Sequence, residues 1–234
     1  MAPHTLHSVL DNPVLSSLGG AHRRFALTEG RAARYPASVS PFMALPDDPT
    51  ADDWRALGRL AGGDAVGLVD PPEPPRGWSE QVAFPVLQMI GSAAMPVSRT
   101  ERTDDVLLEQ LDSADAPAML ALARRTRPGP FEERTHELGG FFGAWHDGRL
   151  VAMAGERLRP DGHTEVSAVC TDESHRGRGL GQALMERVIL GILERGETPF
   201  LHVVVENVGA IRLYERLGFT ERRRFRIAVL QPGS

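Results

Sequence analysis

Cys170 is the only cysteine in the chain. One thiol excludes an intramolecular disulfide framework and any Cys-based metal cluster, so no metal ligands are assigned. Long apolar runs are also missing, and none reaches the length needed to span a membrane. Met1 to Leu10 lacks the basic start and extended apolar core of a secretory signal, so the expected compartment is the cytoplasm, without a membrane partner. Positive charge is not in excess either: the formal net charge of −5 argues against a nucleic-acid partner. No Gly-x-x-x-x-Gly-Lys-Ser/Thr occurs, which disfavours a nucleoside triphosphatase. What is present is 234 residues with 41% hydrophobic content, enough for one large globular domain or two small ones.

Organisation changes near residue 100. The first part carries most of the prolines, including Pro71-Pro72-Glu73-Pro74-Pro75, which cannot join a sheet ladder and reads as an extended surface loop. Around it, Asp52 to Leu60 suits a helix, Ala65 to Val69 and Val82 to Met89 suit strands, and Arg34 to Leu45 an irregular strand pair. From Asp105 the pattern is regular. Val106 to Leu111 reads as a strand, and Asp112 or Ser113 can cap a helix from Ala114 to Arg125. Pro128-Gly129-Pro130 breaks it before a second helical stretch around Phe131 to Leu138. Phe141 to His146 and Leu150 to Arg157 flank Asp147-Gly148, a strong two-residue hairpin signal. Thr164 to Thr171 and Phe200 to Val205 are further strands, and a last one lies near Arg222 to Leu230. Its Arg222-Arg223-Arg224 run reads as charge guarding a sheet edge. Strands outnumber helices and the hairpins are local, so the sheet should be mixed.

Between Thr171 and the helix-like run Leu180 to Arg195 stands Arg176-Gly177-Arg178-Gly179-Leu180-Gly181. A helix start has N–H groups without intrahelical acceptors and a partial positive charge, so it stabilises an anion. Glycines let backbone approach a phosphate closely, and Arg176 and Arg178 add charge at the rim. A short Gly/Arg segment can equally be a plain surface turn. A dinucleotide fold would want an acidic residue ending the next strand, and Glu206 does so. However, the glycines lie too late in the chain for a doubly wound sheet.

The next segment, Asn207-Val208-Gly209-Ala210-Ile211-Arg212-Leu213-Tyr214-Glu215-Arg216-Leu217-Gly218-Phe219, reads as a short helix with Asn207 near its N-cap and Gly218 past its end. Here the chain resembles the GNAT (general N-acetyltransferase) superfamily. In that family an Arg/Gln-x-x-Gly-x-Gly/Ala loop follows the fourth strand and an Asn-x-x-Ala-x-x-x-Tyr-x-x-x-Gly-Phe helix follows the fifth. Both stand here, as Arg176-x-x-Gly179-x-Gly181 and as Asn207-x-x-Ala210-x-x-x-Tyr214-x-x-x-Gly218-Phe219.

The resemblance covers the C-terminal half to three-fifths of the chain. It implies a GNAT fold over residues 101–234, a mixed, mostly antiparallel sheet flanked by helices. Residues 1–100 would be a smaller degenerate GNAT-like half or an unrelated cap. Gly140-Phe141-Phe142-Gly143 and Glu197-Thr198-Pro199-Phe200-Leu201-His202-Val203 resemble the GNAT subgroup with a nearly inert N-terminal half.

The activity implied is transfer of an acetyl group from acetyl-coenzyme A to a small-molecule or peptide amine, by direct attack in a ternary complex. The other class is a non-catalytic acyl-coenzyme A-binding sensor or partner module. By family position, the Arg176 to Gly181 loop would hold the pyrophosphate. Backbone groups of Val169, Cys170 and Thr171 would pair with the pantetheine arm, the Val169 N–H also serving as oxyanion donor. Asn207, with Ala210 on the same helix face, would hold the arm from the other side. Tyr214 would give the departing sulfur its proton.

Glu165 is the expected base or relay. Strict alternation would put it on the face of Ser167 and Val169, and its offset from the Arg176 loop resembles the glutamate base of histone-type members. A solvated strand-end carboxylate, with protons leaving through ordered water, is the alternative. Glu206, His202 and Glu156 are outside candidates. The same alternation turns Cys170 away, making it a buried structural thiol rather than an acyl carrier. The acceptor region implied is Ala114 to Leu138, where His136, Glu137 and Glu133 could hold a cationic amine or form an exposed polar face. The last strands and the N-terminal half could each support a homodimer.

Overall fold

The computed structural model describes residues 8–97 and 106–233, with the backbone of Arg102–Thr103. The boundary proposed at residues 100 and 101 lies outside the described residues. Helix α1 (Pro13–Gly19) starts at Asn12, whose side chain accepts from the Leu15 N–H at 3.3 Å. Strands β1 (Leu27–Glu29), β2 (Ala32–Arg34) and β3 (Met43–Ala44) form a small antiparallel sheet. Helix α2 (Ala51–Ala61) opens on a capping box in which the Thr50 hydroxyl and the Asp53 carboxylate each accept the other residue's N–H. Strands β4 (Val66–Val69) and β5 (Trp78–Ile90) close the first part, with the proline run between them free of regular structure.

After β6 (Arg102–Thr103) come β7 (Val106–Leu111), α3 (Ala116–Thr126), β8 (Phe141–His146) and β9 (Arg149–Glu156). Then follow β10 (His163–Thr171), α4 (Leu180–Glu194), β11 (Thr198–Val204), α5 (Val208–Arg216) and β12 (Thr220–Pro232). Asp147 and Gly148, at φ 48° and 70°, make the expected tight hairpin turn. The helix expected from Ala114 begins as a 3-10 turn, Ser113–Asp115, and becomes α-helical at Ala116. Of the stretch around Phe131 to Leu138 only Thr135–Leu138 is helical, as one 3-10 turn.

Nine strands form one sheet in the order β4-β12-β5-β11-β10-β9-β8-β7-β6. Only β10 and β11 run parallel, joined by α4, so the sheet is mixed and mostly antiparallel. Leu184, Val188 and Ile192 on α4 are fully buried, packing that helix on β8, β9, β10 and β11.

The two parts of the chain are interleaved. β5, from the first hundred residues, lies between β11 and β12, and β12, the last strand, pairs on its other side with β4. The segment β3-α2-β4 repeats the form of β10-α4-β11: strand, crossover helix, then a strand touching the first in parallel, here through the single bridge Phe42↔Gly67.

Side chains lock the halves further. His22 is buried, its Nε2 at 3.0 Å from the Leu138 carbonyl and its Nδ1 at 2.9 Å from the Tyr35 hydroxyl. The carbonyl can only accept, so Nε2 carries the proton and Tyr35 donates to Nδ1. Arg222 and Arg223 do not serve mainly as a bare guarded edge: Arg222 bonds Asp11 at 2.8 Å and Arg223 bonds Asp70 at 2.5 Å, both carboxylates of the first part.

Burial depresses the His22 imidazole to about 4, against an ordinary value of about 6.5. A depressed histidine disfavours the charged form in the fold, so stability falls as pH drops from about 6.5 towards 4, by up to about 3 kcal/mol. Urea titrations between pH 7 and 4.5 should show this loss, and His22→Gln should flatten it; an unchanged pH slope in the variant would remove His22 as its source.

Candidate active site

Strands β10 and β11 share only three rungs, His163↔Thr198, Thr164↔Pro199 and Glu165↔Phe200, and then part. The cause lies in β10. Ala168 takes φ 54°, and the register against β9 slips between Ser167 and Cys170, forming a bulge that bends the strand. Meanwhile β11 stays paired with β5 as far as Val204. A cleft of about 1050 Å³ fills the gap. Val169, Cys170 and Thr171 line one wall, on the edge of β10 that β11 no longer covers, and His202 to Val204 line the other.

The bulge corrects the alternation expected for β10. Ser167 pairs with Gly155 and Cys170 with Met153, two residues of β9 that share a face, so Cys170 and not Val169 lies on the face of Ser167 and Glu165. Cys170 nonetheless packs as a structural thiol among Leu122, Met153 and their neighbours. Burial pushes its thiol up to about 11, which leaves it protonated and a poor nucleophile.

At the end of β10 the glycine loop reaches the same cleft through Arg176, Gly177 and Gly181. Gly177 and Gly179 take φ 78° and 75°, conformations that side-chain-bearing residues rarely adopt. Gly179 is the N-cap of α4 and brings no side chain to cap it, so the helix start keeps N–H groups that have no intrahelical acceptor. Leu180 is buried and anchors the helix start. The loop is braced by Asp172, which pairs with Arg125 and Arg149 at 3.3 and 3.0 Å.

Across the cleft, the Asn207 side chain accepts from the Ala210 N–H at 3.2 Å, capping α5 as expected. Asn207, Ala210 and Tyr214 all line the cleft. Burial raises the Tyr214 phenol to about 12, so it keeps its proton throughout the neutral range. Its ring packs edge-on against Phe219, with centroids 6.3 Å apart.

Glu165 is not on the cleft wall. It is fully buried and held by Arg157 at 2.9 and 2.6 Å, by His202 Nδ1 at 2.7 Å and by the Leu158 N–H at 3.3 Å. Burial alone would push its pKa up, but the Arg157 guanidinium and the His202 contact outweigh it and hold the carboxyl well below the usual range. Such a carboxylate is a weak base with its lone pairs occupied, so the base role expected of Glu165 does not fit this packing. His202 is equally fixed. Gln88 Nε2 donates to the Leu10 carbonyl at 2.8 Å and lies 2.9 Å from His202 Nε2, which therefore accepts. Arg222 donates to the Gln88 oxygen at 2.6 Å.

The remaining candidates lie elsewhere. Glu156 is buried beneath Gly139 and Gly140 and pairs with Arg195 at 2.9 Å. Glu206 is exposed, and Glu137 pairs with Arg134 at 2.7 Å. None of these, nor His136 or Glu133, lines the cleft, and of Ala114 to Leu138 only the turn Thr126 to Pro130 does. Residues that the sequence reading missed are Arg157, Phe42, Gly67, Phe84 and Ile227, all on the cleft wall. No local pattern marks them, because strand pairing across the two halves brings them together.

The glycine loop, the tyrosine helix and the part of the cleft wall from Arg157 to Ile227 fall within residues 141–227, which match the model of the FR47-like protein family. The chain is 32% identical over 120 residues to the [ribosomal protein bS18]-alanine N-acetyltransferase of Escherichia coli K12, spanning 49% of this chain and 80% of that relative. The chain belongs to the GNAT superfamily. It is also 40% identical over 82 residues to mycothiol acetyltransferase of Thermomonospora curvata, covering 35% of this chain but 28% of that relative. A crystal structure of a GNAT-family protein from Novosphingobium aromaticivorans, described as a candidate acetyltransferase, superposes with a TM-score of 0.84 at 39% identity, covering 97% of this chain and all of the other. The N-terminal elements of this GNAT protein are therefore part of a shared fold. It is an acyltransferase by these relationships. Among the described residues no helix is long and apolar enough to cross a membrane, and no cluster of three metal-ligating side chains occurs.

Glu165→Gln should leave the buried Arg157 uncompensated and cost about 3–5 kcal/mol of folding stability. Because the carboxyl is depressed in the fold, the stabilisation it brings is complete above about pH 4.3 and lost as pH falls below that. Guanidinium titrations at pH 7 and pH 3.5 check both: a stability loss under 1 kcal/mol at pH 7 would contradict the buried pair's role.

Proposed function

We propose that this enzyme transfers an acetyl group from acetyl-coenzyme A to a primary amine by direct attack within a ternary complex. The observation that carries this reading is that the bulge at Ala168 opens a bare strand edge, an uncapped helix start and Tyr214 onto one continuous cleft. These three suit a donor with an extended amide-rich arm, a pyrophosphate and a thioester. The Val169 to Thr171 backbone would pair with the arm as a short added strand. The Arg176 to Gly181 loop would take the pyrophosphate, and Asn207 and Ala210 would border the arm opposite.

The amine first loses a proton to solvent along the open cleft. Its nitrogen then forms a bond to the acetyl carbon while the Val169 N–H donates to the carbonyl oxygen. The carbon–sulfur bond breaks, Tyr214 gives its proton to the leaving sulfur, and the phenolate regains one from the new amide nitrogen through water. The raised Tyr214 value fits the donor role, since the group is protonated when needed.

The first part of the chain is read as a degenerate copy of the same half. Its helix α2 has the place of α4, yet Thr50 and Asp53 form a capping box there, Arg31 bonds Asp53 at 3.1 Å, and the Asp52 and Asp53 carboxylates in the first turn disfavour an anion at its start. That half supplies walls rather than a second donor site.

Tyr214→Phe should lower kcat by about 10²-fold or more. The acetyl-coenzyme A Kd should change less than about twofold. Free-thiol release on an amine panel measures the first and calorimetry the second. The chain has no lysine, which removes lysine self-acetylation from the background. Unchanged turnover would take Tyr214 out of the acid role.

A further inference from the structure

We infer that the acceptor is a primary amine on an apolar body without a second cationic group, such as an arylalkyl or branched alkyl monoamine, selected by a wall that the N-terminal half completes. This inference rests on the acetyl-transfer reading above and concerns the acceptor end of the same cleft.

The wall is one face of four strands. Cross-strand partners share a face, and the register aligns Val204 with Val86, Val86 with Phe225, Phe84 with Ile227, and both Val82 and Gly67 with Val229. Of these, Val86, Phe84, Ile227, Val229 and Gly67 line the cleft beyond Val204. β5 and β4 come from the first part of the chain, so the exchange of strands builds this surface. Phe42 joins it from the bridge to Gly67. A Cβ on Gly67 would stand 3.2 Å from the Phe42 ring, so glycine keeps the floor open.

Charge narrows the ligand further. Among the described residues lining the cleft there is no Asp or Glu; the charged ones are Arg127, Arg157 and Arg176. Glu165, which bonds the wall residues Arg157 and His202, is buried and already paired with Arg157. A polyamine, or a peptide with a nearby lysine, would bring a second ammonium to a surface with no anion to receive it, a costly burial. A hydrocarbon body gains instead about 25 cal/mol for each Å² removed from water. The reacting amine itself gives up its proton to solvent along the cleft and reacts as the neutral base, so it needs no carboxylate.

The test uses the full chain loaded with coenzyme A, which binds without turnover. Calorimetry compares 2-phenylethylamine with 1,4-diaminobutane and with a neutral peptide beginning in alanine. The same amines are then offered with acetyl-coenzyme A while thiol is followed. Phenylethylamine should bind at least tenfold tighter than diaminobutane. Val229→Glu, which adds a carboxylate at a half-exposed wall position, should move that ratio tenfold or more towards diaminobutane, with retained coenzyme A affinity reporting a folded protein. If that variant does not fold, Phe84→Ala should weaken phenylethylamine about fivefold or more without changing coenzyme A binding. Equal or tighter binding of diaminobutane, tighter binding of the peptide, or a ratio unmoved in a folded Val229→Glu protein overturns the inference. The predicted preference without thiol release upholds the wall's selectivity for an apolar monoamine and sinks the acetyl-transfer proposal instead.

Discussion

The buried pair of Arg157 and Glu165, with His202 bonded to it, stands where the molecule divides. Glu165 sits on the last rung that β10 shares with β11, and His202 lies two residues further along β11. The carboxylate thus ties the strands together by side chains at the point where their backbones separate. Two charges withdrawn from water at this depth are held only because every carboxylate lone pair has a donor. Beyond this tie the strands can diverge without the sheet unzipping, and the divergence makes the cleft. Glu165, to which sequence reasoning assigned proton transfer, works here as the hinge pin of the architecture.

The exchange of strands between the two parts of the chain has a similar logic. A lone half would leave β11 and β4 with open edges, a hazard for uncontrolled pairing. Placing β5 on β11 and β12 on β4 closes both edges at once and buries His22, Tyr35 and Phe200 along the junction. Carboxylates stand at the start of α2 in the first part of the chain, and the strands of that part add an apolar wall to the far end of the cleft.

What could be read from residues alone was local. The Arg176 to Gly181 loop became legible only together with the Asn207 to Phe219 helix, since glycines between a strand and a helix can equally form a plain surface turn. Asn207 and Gly218 bracket α5 by capping chemistry, and Asp147-Gly148 forces its hairpin. The mixed sheet followed from the local hairpins, and its mostly antiparallel character from the GNAT resemblance. The insertion of β5 between β11 and β12 was not legible, since it joins residues more than a hundred positions apart. The bulge at Ala168 carried no signal either, because an alanine in left-handed geometry is dictated by its neighbours rather than by its own chemistry. One such slip reversed the face assignments of Val169 and Cys170 and, with the burial of Glu165, removed the expected base. Arg157, at the end of an ordinary strand, gave no hint of burial.

The central claim is that the bare edge of β10 and the uncapped start of α4 together receive acetyl-coenzyme A. Amide hydrogen exchange with and without that ligand measures it directly. Protection should rise at residues 169–171 and 177–182, and stay unchanged at the capped start of α2, residues 51–54. Protection at α2, or none along β10 under saturating ligand, would contradict it.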